Sequence, residues 1–160
     1  MKRLAVLFIA LLIGSTMFSQ KMITRSGEIK FDATVPGAID EVIVTNKTVS
    51  AIFDKSTTDL VVLGFVKSFK FKSPLMEEHF NENYVESGKY PKASFKGNLE
   101  DHTKFNINAD GVYKMKAKGD FTLHGVTKPV TVDVKISVVK GVATAAADFS
   151  LTFADYGIKI

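Results

Sequence analysis

A strand, a turn and a second strand are predicted within residues 119–134, GDFTLHGVTKPVTVDV. Apolar and polar side chains alternate on both sides of the central His124-Gly125 pair, and a period of two is typical of a half-buried β-strand. Glycine suits a position where the chain reverses, so we expect a turn at this pair. The stretch therefore predicts an antiparallel hairpin with one apolar face.

The same alternation continues outward from this hairpin in both directions. Between Ile29 and Phe153 it marks about seven strands, apart from a continuous apolar run at residues 60–66. The predicted inner positions include Ala93, Phe95, Gly97, Leu99, Tyr113, Met115, Ala117, Phe121, Val130, Val132 and Val134. This pattern predicts an all-β fold with antiparallel strands, arranged either as a barrel or as a sandwich.

One helix is predicted between the two halves of the strand pattern. Ser73 suits the N-cap, Pro74 suits the first helical position, and Gly88 is expected to end the helix. Its apolar stripe, with a spacing of four residues, consists of Met76, Phe80 and Tyr84. We expect this stripe to pack across the barrel as a lid or a plug.

Small residues recur at the predicted inner positions. They are Ala93, Gly97, Ala117, Gly119, Ala143, Ala145 and Ala147. Protein interiors are closely packed, so small side chains leave room for a ligand unless a neighbouring element fills it. The stripe of the predicted helix is one such filler, and the pattern alone leaves both interpretations open.

The first residues have the features of a secretory signal peptide. Lys2 and Arg3 precede the apolar run 4–13, which is too short for a stable membrane span. With cleavage after Ser19, we expect a signal peptide at residues 1–19, a single domain at residues 20–160, and a periplasmic location. An N-terminal buried helix is the alternative interpretation of the apolar run.

Charge and composition narrow the classes of function. Without Lys2 and Arg3 the chain has 19 basic and 17 acidic residues, a balance that argues against a nucleic-acid partner. The absence of cysteine excludes a disulfide framework and a thiol nucleophile. No pair of histidines has the spacing of a metal site, and no phosphate-binding loop is present, so we expect neither a metal nor a cofactor.

Two motifs resemble the YceI-like family of exported, lipocalin-like proteins. The first is the hairpin stretch 119–134, and the second comprises residues 76–80, MEEHF, and 86–97, ESGKYPKASFKG. The resemblance implies an antiparallel barrel with one helix that encloses an apolar tunnel. It also implies an apolar, isoprenoid-like or quinone-like lipid as the ligand, because characterised members bind polyisoprenoids.

The inner-face pattern and this resemblance together identify a candidate ligand site. The residues expected to line the cavity are Phe65, Met76, Phe80, Phe95, Ala117, Phe121, Ala143, Ala145 and Phe149. We expect His79, on the predicted helix, to lie near a polar head group. The function indicated is that of an exported carrier or scavenger that catalyses nothing.

Two other functions remain open. One is an interaction or structural protein with a collapsed cavity, and the other is an enzyme that acts on a prenyl lipid with His79 or His124 as acid or base. For His124 we favour a turn residue whose ring bonds a backbone carbonyl. The row Lys114, Lys116 and Lys118 is interpreted as a solvated outer face, with transient contact to an anionic membrane surface as the alternative.

The carboxyl end breaks the strand pattern. Residues 143–153 predict a last strand whose inner face runs from Ala143 to Phe153, and Asp155-Tyr156-Gly157 then interrupts the alternation. A barrel closes only if its last strand pairs with its first. We therefore expect incomplete closure, with one sheet edge open or covered by the helix, and expect the open edge to favour pairing between copies.

Overall fold

A computed structural model describes residues 21–32, 34 and 42–159. Its seven strands form one antiparallel sheet in chain order. The strands are β1 (Lys21–Asp32), β2 (Ile43–Asp54), β3 (Asp59–Phe65), β4 (Lys92–Glu100), β5 (Gly111–Leu123), β6 (Val126–Val139) and β7 (Val142–Ala147). The predicted signal peptide lies outside the described residues. In the described part of the chain, no helix is long and apolar enough to cross a membrane.

The sheet curls into a half-barrel whose two edges do not meet. Every strand pairs with its neighbour in sequence, and within the described residues β1 and β7 form no ladder with each other. The predicted all-β, lipocalin-like architecture with incomplete closure is therefore confirmed. The inner face of the curl carries the buried apolar residues, and the outer face carries most of the charges.

Two glycines face each other where the backbones of β4 and β5 approach closely. Gly97 on β4 pairs with Gly119 on β5, and a Cβ added to Gly97 would lie 2.6 Å from the Gly119 Cα. No side chain fits at either position without a backbone shift, because ordinary carbon contacts begin near 3.4 Å. The two glycines are therefore required by the close approach of the strands rather than by a cavity.

The core consists of two clusters on the inner face. The helix-side cluster contains Val44, Val66, Phe69, Phe80, Val85, Leu123, Tyr156 and Ile158. The far cluster, at the other end of the strands, contains Phe53, Leu99, Phe105, Met115, Ala117, Val134, Ile136 and Val138. The Gly97–Gly119 pair belongs to neither cluster, and on β5 Gly119 lies between Ala117 of the far cluster and Phe121, which packs against the helix-side cluster.

The predicted helix is present but is shorter and less regular than expected. The α-helix α1 spans Pro74–His79, with Pro74 in its first turn, and a π-helical turn follows at Phe80–Tyr84. The side-chain amide of Asn81 donates to the carbonyl of Glu77 at 2.8 Å. That bond competes with the regular backbone pattern, and it lies at the point where the helix widens.

This helical segment covers one end of the half-barrel. Phe80 is buried, and its ring centroid lies 4.9 Å from that of Phe71 and 6.3 Å from that of Phe69. Met76 is not buried in this cluster, since the residue is 48% exposed. The segment therefore closes the helix-side cluster as a lid, with Phe80 as its principal apolar contact.

The last strand is shorter than predicted. β7 ends at Ala147 rather than at Phe153, and the chain then forms a 3-10 helix at Phe153–Tyr156. β7 lies at an edge and pairs with Val134–Val139, and among the described residues it does not continue along the rest of β6, from Val126 to Asp133. Leu151 and Phe153 pack instead against the helix-side cluster.

Candidate functional site

Three rows of paired residues cross β4, β5 and β6 in the middle of the inner face. The rows are Phe95–Phe121–Lys128, Gly97–Gly119–Val130 and Leu99–Ala117–Val132. Phe95 packs against the far cluster, whereas Phe121 packs against the helix-side cluster. The boundary between the two clusters therefore runs through this apolar surface.

The inner face is open to solvent along β7. Ala143, Ala145 and Ala147 pair with Val138, Ile136 and Val134, so all three alanines occupy inner positions. Ala143 is half-buried against the far cluster, while Ala145 and Ala147 are exposed. Because β7 is an edge strand, no further strand covers the two exposed alanines in the described part of the chain.

An exposed aromatic ring extends this open surface. Phe149 follows β7, is 49% exposed, and lies with its ring centroid 5.5 Å from that of Phe121. Phe121 also contacts the ring of Tyr156, at 5.7 Å between centroids. We call the surface formed by Phe121, Ala145, Ala147 and Phe149 the open cleft.

The candidate lining residues do not all lie at this cleft. Phe121, Ala145 and Phe149 do, and Phe95 is half-buried beside Phe121 in the same row. Ala117 is 3% exposed and packed inside the far cluster. Its small side chain therefore serves close packing in this structure, whereas Ala145 and Ala147 on β7 are exposed.

Phe65 is a clear departure from the expected lining. It is 47% exposed on the outer face, where the ammonium of Lys92 lies 5.7 Å from its ring centroid. The adjacent Gly64 takes the inner position, with an added Cβ 3.7 Å from side-chain atoms of Ile29 and Val49. Both faces of the run 60–66 are apolar, so alternation could not decide which residues point inward.

Met76 and His79 also lie away from the open cleft. Met76 lines a small cavity of about 260 Å³ together with Val44 and Phe71, beside the start of α1. His79 is exposed at the last position of α1. A wider groove of about 950 Å³ on the other side of this segment has a mixed lining, in which Lys67, Lys72 and Lys89 face four glutamates.

His124, in the hairpin turn, ties three segments together. Its Nδ1 lies 3.0 Å from the carbonyl oxygen of Tyr156, and its Nε2 lies 2.8 Å from a carboxylate oxygen of Glu86. Each ring nitrogen of His124 therefore faces an oxygen that can accept a hydrogen bond. The predicted bond from this ring to a backbone carbonyl is confirmed, and both nitrogens are engaged in structural contacts.

The turn around His124 is sterically tight. The ring of Tyr90 packs at 4.4 Å between centroids from that of His124. Gly125 has a φ of 73°, and a Cβ added there would lie 2.6 Å from a Tyr90 ring carbon. The His-Gly pair of the signature stretch is therefore explained by packing and backbone conformation.

One charged residue of the site was missed by the sequence interpretation. Lys128 lies within β6, directly opposite Phe121. Its ammonium is 3.5 Å from a carboxylate oxygen of Asp155, and 42% of its side chain is exposed. The sequence does indicate the orientation of this side chain, because Lys128 lies two residues from both Val126 and Val130 and therefore on the same face of the strand.

These features define a lipocalin-like half-barrel with an apolar inner face that is open on one side. The family model described as the YceI-like domain matches residues 17–160. The chain therefore belongs to the YceI-like family, as its two motifs predicted. It is also 26% identical over 124 residues to a UPF0312 protein of Vibrio parahaemolyticus. The alignment covers 77% of this chain and 52% of that relative, so the chain spans about half of the relative's length.

Solved structures share the fold at low sequence identity. A polyisoprenoid binding domain from Saccharophagus degradans, implicated in plant cell wall breakdown, superposes with a TM-score of 0.74 at 9% identity, covering 87% of this chain and 81% of that one. BcnA of Burkholderia cenocepacia has a TM-score of 0.60 at 15% identity, over 86% and 81%. The YceI protein of Campylobacter jejuni has a TM-score of 0.52 at 16% identity, over 99% and 85%.

Proposed function

We propose that this protein is an exported carrier or scavenger that binds an apolar, isoprenoid-like lipid along the open cleft. The observation that carries the proposal is the exposure of apolar side chains at inner positions, above all Ala145, Ala147 and Phe149. Exposed apolar surface is unfavourable in water by roughly 25 cal/mol per Å². A bound lipid tail would cover this surface and remove that unfavourable free energy.

The residues that form the cleft suit an extended apolar chain. Small side chains on β7 leave room above the sheet, and Phe121 and Phe149 supply flat apolar contacts at one end. A pocket of this kind fixes a ligand mainly through apolar surface and few polar groups. The polyisoprenoid-binding neighbour from Saccharophagus degradans supports an isoprenoid tail rather than another hydrocarbon.

The proposal is one of binding without catalysis. Both nitrogens of His124 are held by Glu86 and Tyr156, which leaves that ring no free position for proton transfer to a ligand. His79 is exposed on the helix, outside the open cleft. We further propose a periplasmic location, which rests on the basic and apolar pattern of residues 1–19.

A paired substitution on β7 tests the site. Ala145→Phe fills the open cleft at an inner position, whereas Ala146→Phe adds the same ring to the outer face of the same strand, opposite Lys135. Binding of geranylgeraniol is measured by isothermal titration calorimetry. We expect Ala145→Phe to weaken binding about tenfold or more, because the ring occupies the volume of the tail.

Ala146→Phe should bind geranylgeraniol within about twofold of the unmodified protein, since two apolar substitutions differ here only in the face they occupy. Equal losses in both variants would place the ligand elsewhere. Absence of binding by the unmodified protein would favour the alternative of an interaction protein. The burial of Ala117 within the far cluster is the observation that speaks for that alternative, because it fills one end of the interior.

A further inference from the structure

Strand β3 is apolar on both of its faces, although only one face packs against the core. Leu60 packs against the far cluster and Gly64 is buried on the same face. The alternate residues Val61, Leu63 and Phe65 lie on the outer face of the sheet. A strand with two apolar faces is typical of a sheet that is covered on both sides. The composition of β3 therefore indicates a partner for its outer face.

The apolar surface extends from β3 across the two neighbouring strands. Ile23 on β1 pairs with Ile52 on β2, and Ile52 pairs with Val61 on β3. Ile23, Ile52 and Val61 are 60%, 41% and 37% exposed. We call these three residues, together with Leu63 and Phe65, the outer patch. Contiguous apolar surface of this kind marks a site of interaction, whereas single exposed apolar residues do not.

The cations that border the outer patch have no ion partner in the part of the chain that the structure describes. Lys92 and Lys96 lie on β4 directly opposite the patch, and Arg25 lies on β1 beside it. None of these three side chains forms a salt bridge with a described residue. The Lys92 ammonium lies over the ring of Phe65, so a long side chain with a free charge already extends along the patch.

The carboxylates near the outer patch are largely engaged. Asp54 lies 3.8 Å from the Lys21 ammonium, and Asp59 accepts a hydrogen bond from Asn98 at 2.9 Å. Asp120 is opposite one of the two β4 lysines in the ladder but forms no salt bridge with it. A second copy packed on the patch would bring free cations together with few carboxylates to receive them. An anionic lipid surface instead complements the cations and covers the apolar residues.

We propose that the outer patch docks this protein on an anionic lipid bilayer. Its apolar side chains enter the boundary between head groups and acyl chains, and Lys92, Lys96 and Arg25 contact the head groups. β1 is one of the two sheet edges that bound the opening of the half-barrel, so docking places this edge beside the bilayer. The outer patch and the open cleft lie on opposite faces of the sheet, so the proposal does not depend on the ligand of the cleft.

Vesicle co-sedimentation of the full chain tests the charged contacts. It compares phosphatidylcholine vesicles with vesicles that also contain about 30% phosphatidylglycerol, and we expect the anionic vesicles to bind at least about tenfold more tightly. Lys92→Gln combined with Lys96→Gln should weaken this binding about twentyfold, since each lysine near the surface contributes about fivefold.

The matched control for the charge variant is Lys114→Gln combined with Lys135→Gln. These two lysines face each other on the outer face of β5 and β6. Lys114 lies roughly 20 Å along β5 from the position opposite Lys96, at about 3.3 Å per residue. That separation exceeds the screening length of about 10 Å, so the control should change binding less than about twofold.

Ile52→Thr combined with Val61→Thr tests the apolar contacts. Threonine keeps the β-branched shape and makes the surface polar, so binding to the anionic vesicles should weaken about tenfold or more. Val112→Thr is the matched control, because Val112 is more exposed than Val61 and lies on the outer face of β5, outside the patch. This control should change binding less than about twofold.

A single tryptophan reports the contact directly, because the chain contains none. The emission of Phe65→Trp should shift to shorter wavelength on anionic vesicles, and the emission of Val112→Trp should not. If the threonine variants do not fold, these two spectra decide alone, and an unshifted Phe65→Trp spectrum on bound vesicles would overturn docking through the outer patch.

Three further outcomes would overturn the proposal. They are equal binding to both kinds of vesicle, equal losses in the patch and control variants, and loss of a dimer but not of vesicle binding in the Ile52→Thr, Val61→Thr variant, which would assign the patch to a second copy. Geranylgeraniol binding in solution should be unchanged in all of these variants. A failure of vesicle docking would therefore leave the proposed function intact.

Discussion

Gly119→Ala should destabilise the half-barrel far more than an ordinary glycine substitution. The added Cβ would lie 2.8 Å from the carbonyl carbon of Lys96, and closer still to its oxygen and to the Cα of Gly97. Ordinary contact begins near 3.4 Å, so β4 and β5 must separate by about 0.6 Å or more at this pair. The three nearest atoms all belong to the backbone, so no flexible side chain can move aside.

The magnitude follows from the interactions that the separation disturbs. Overpacking costs about 1–3 kcal/mol, and weakening of the adjacent ladder bonds adds about 1–2 kcal/mol. The loss of backbone freedom in the unfolded chain offsets about 0.4–1 kcal/mol. We therefore expect a net loss of about 2–4 kcal/mol, which for a domain of this size corresponds to a fall in Tm of roughly 5–15 °C.

Two other glycines provide controls for this substitution. A Cβ on Gly88 meets nothing within 4 Å, so Gly88→Ala should change the free energy of unfolding by less than about 0.5 kcal/mol. Gly141 is equally open but has a φ of 76°, and Gly141→Ala should cost about 1–2 kcal/mol from backbone strain alone. The order of cost is expected to be Gly119, then Gly141, then Gly88.

Urea unfolding followed by far-ultraviolet circular dichroism measures these costs, because the chain has no tryptophan for fluorescence. The double variant Gly97→Ala with Gly119→Ala should cost less than the sum of its parts, since one separation of the strands accommodates both methyl groups. A Gly119→Ala variant as stable as Gly88→Ala would refute the close approach of β4 and β5.

Three further predictions concern His124, Tyr156 and the sheet edge. In His124→Asn, the asparagine can adopt the left-handed backbone of this position (φ 50°), but both contacts of the ring are lost. The variant should lower the free energy of unfolding by about 2–3 kcal/mol in urea titrations, and Glu86→Gln should lower it by less. Burial raises the pKa of the Tyr156 phenol above its ordinary value of 10.0, so the folded state favours the neutral ring. The stability of the fold should therefore be unchanged below pH 10 and decrease above it. In thermal melts, Tyr156→Phe should make that decrease smaller. The exposed edge of β7 should pair with a second copy, so sedimentation from micromolar to millimolar concentration should show a monomer–dimer equilibrium, and a concentration-independent monomer would contradict edge pairing.

Alternation predicted the fold well wherever one face of a strand is polar. The hairpin appears as β5 ending at Leu123 and β6 beginning at Val126, around the expected turn. In β3 both faces are apolar, and the orientation of Phe65 was therefore not recoverable from the pattern. Whether an inner position is covered depends on its neighbours across the sheet, and a periodic pattern carries no information about them.

The candidate site was predicted less completely than the fold. Ala117 and Ala145 look alike in sequence, yet one is enclosed by the far cluster and the other is exposed on an edge strand. Lys128 alternates with Val126 and Val130 on the inner face of β6, but a charged side chain among apolar ones is not expected to face inward. β7 ends at Ala147 although its partner β6 extends to Val126, and the point where such long-range pairing stops is not encoded locally.

The central claim is that the open cleft holds an isoprenoid-tailed lipid. The most direct test is mass spectrometry of organic extracts from the full chain, exported by a bacterium and purified without detergent, beside Ala145→Phe and Ala146→Phe prepared in the same way. We predict about one isoprenoid-tailed lipid per chain in the unmodified protein and in Ala146→Phe, and strong depletion in Ala145→Phe. Extracts free of such lipid, or equal amounts in all three proteins, would contradict the claim.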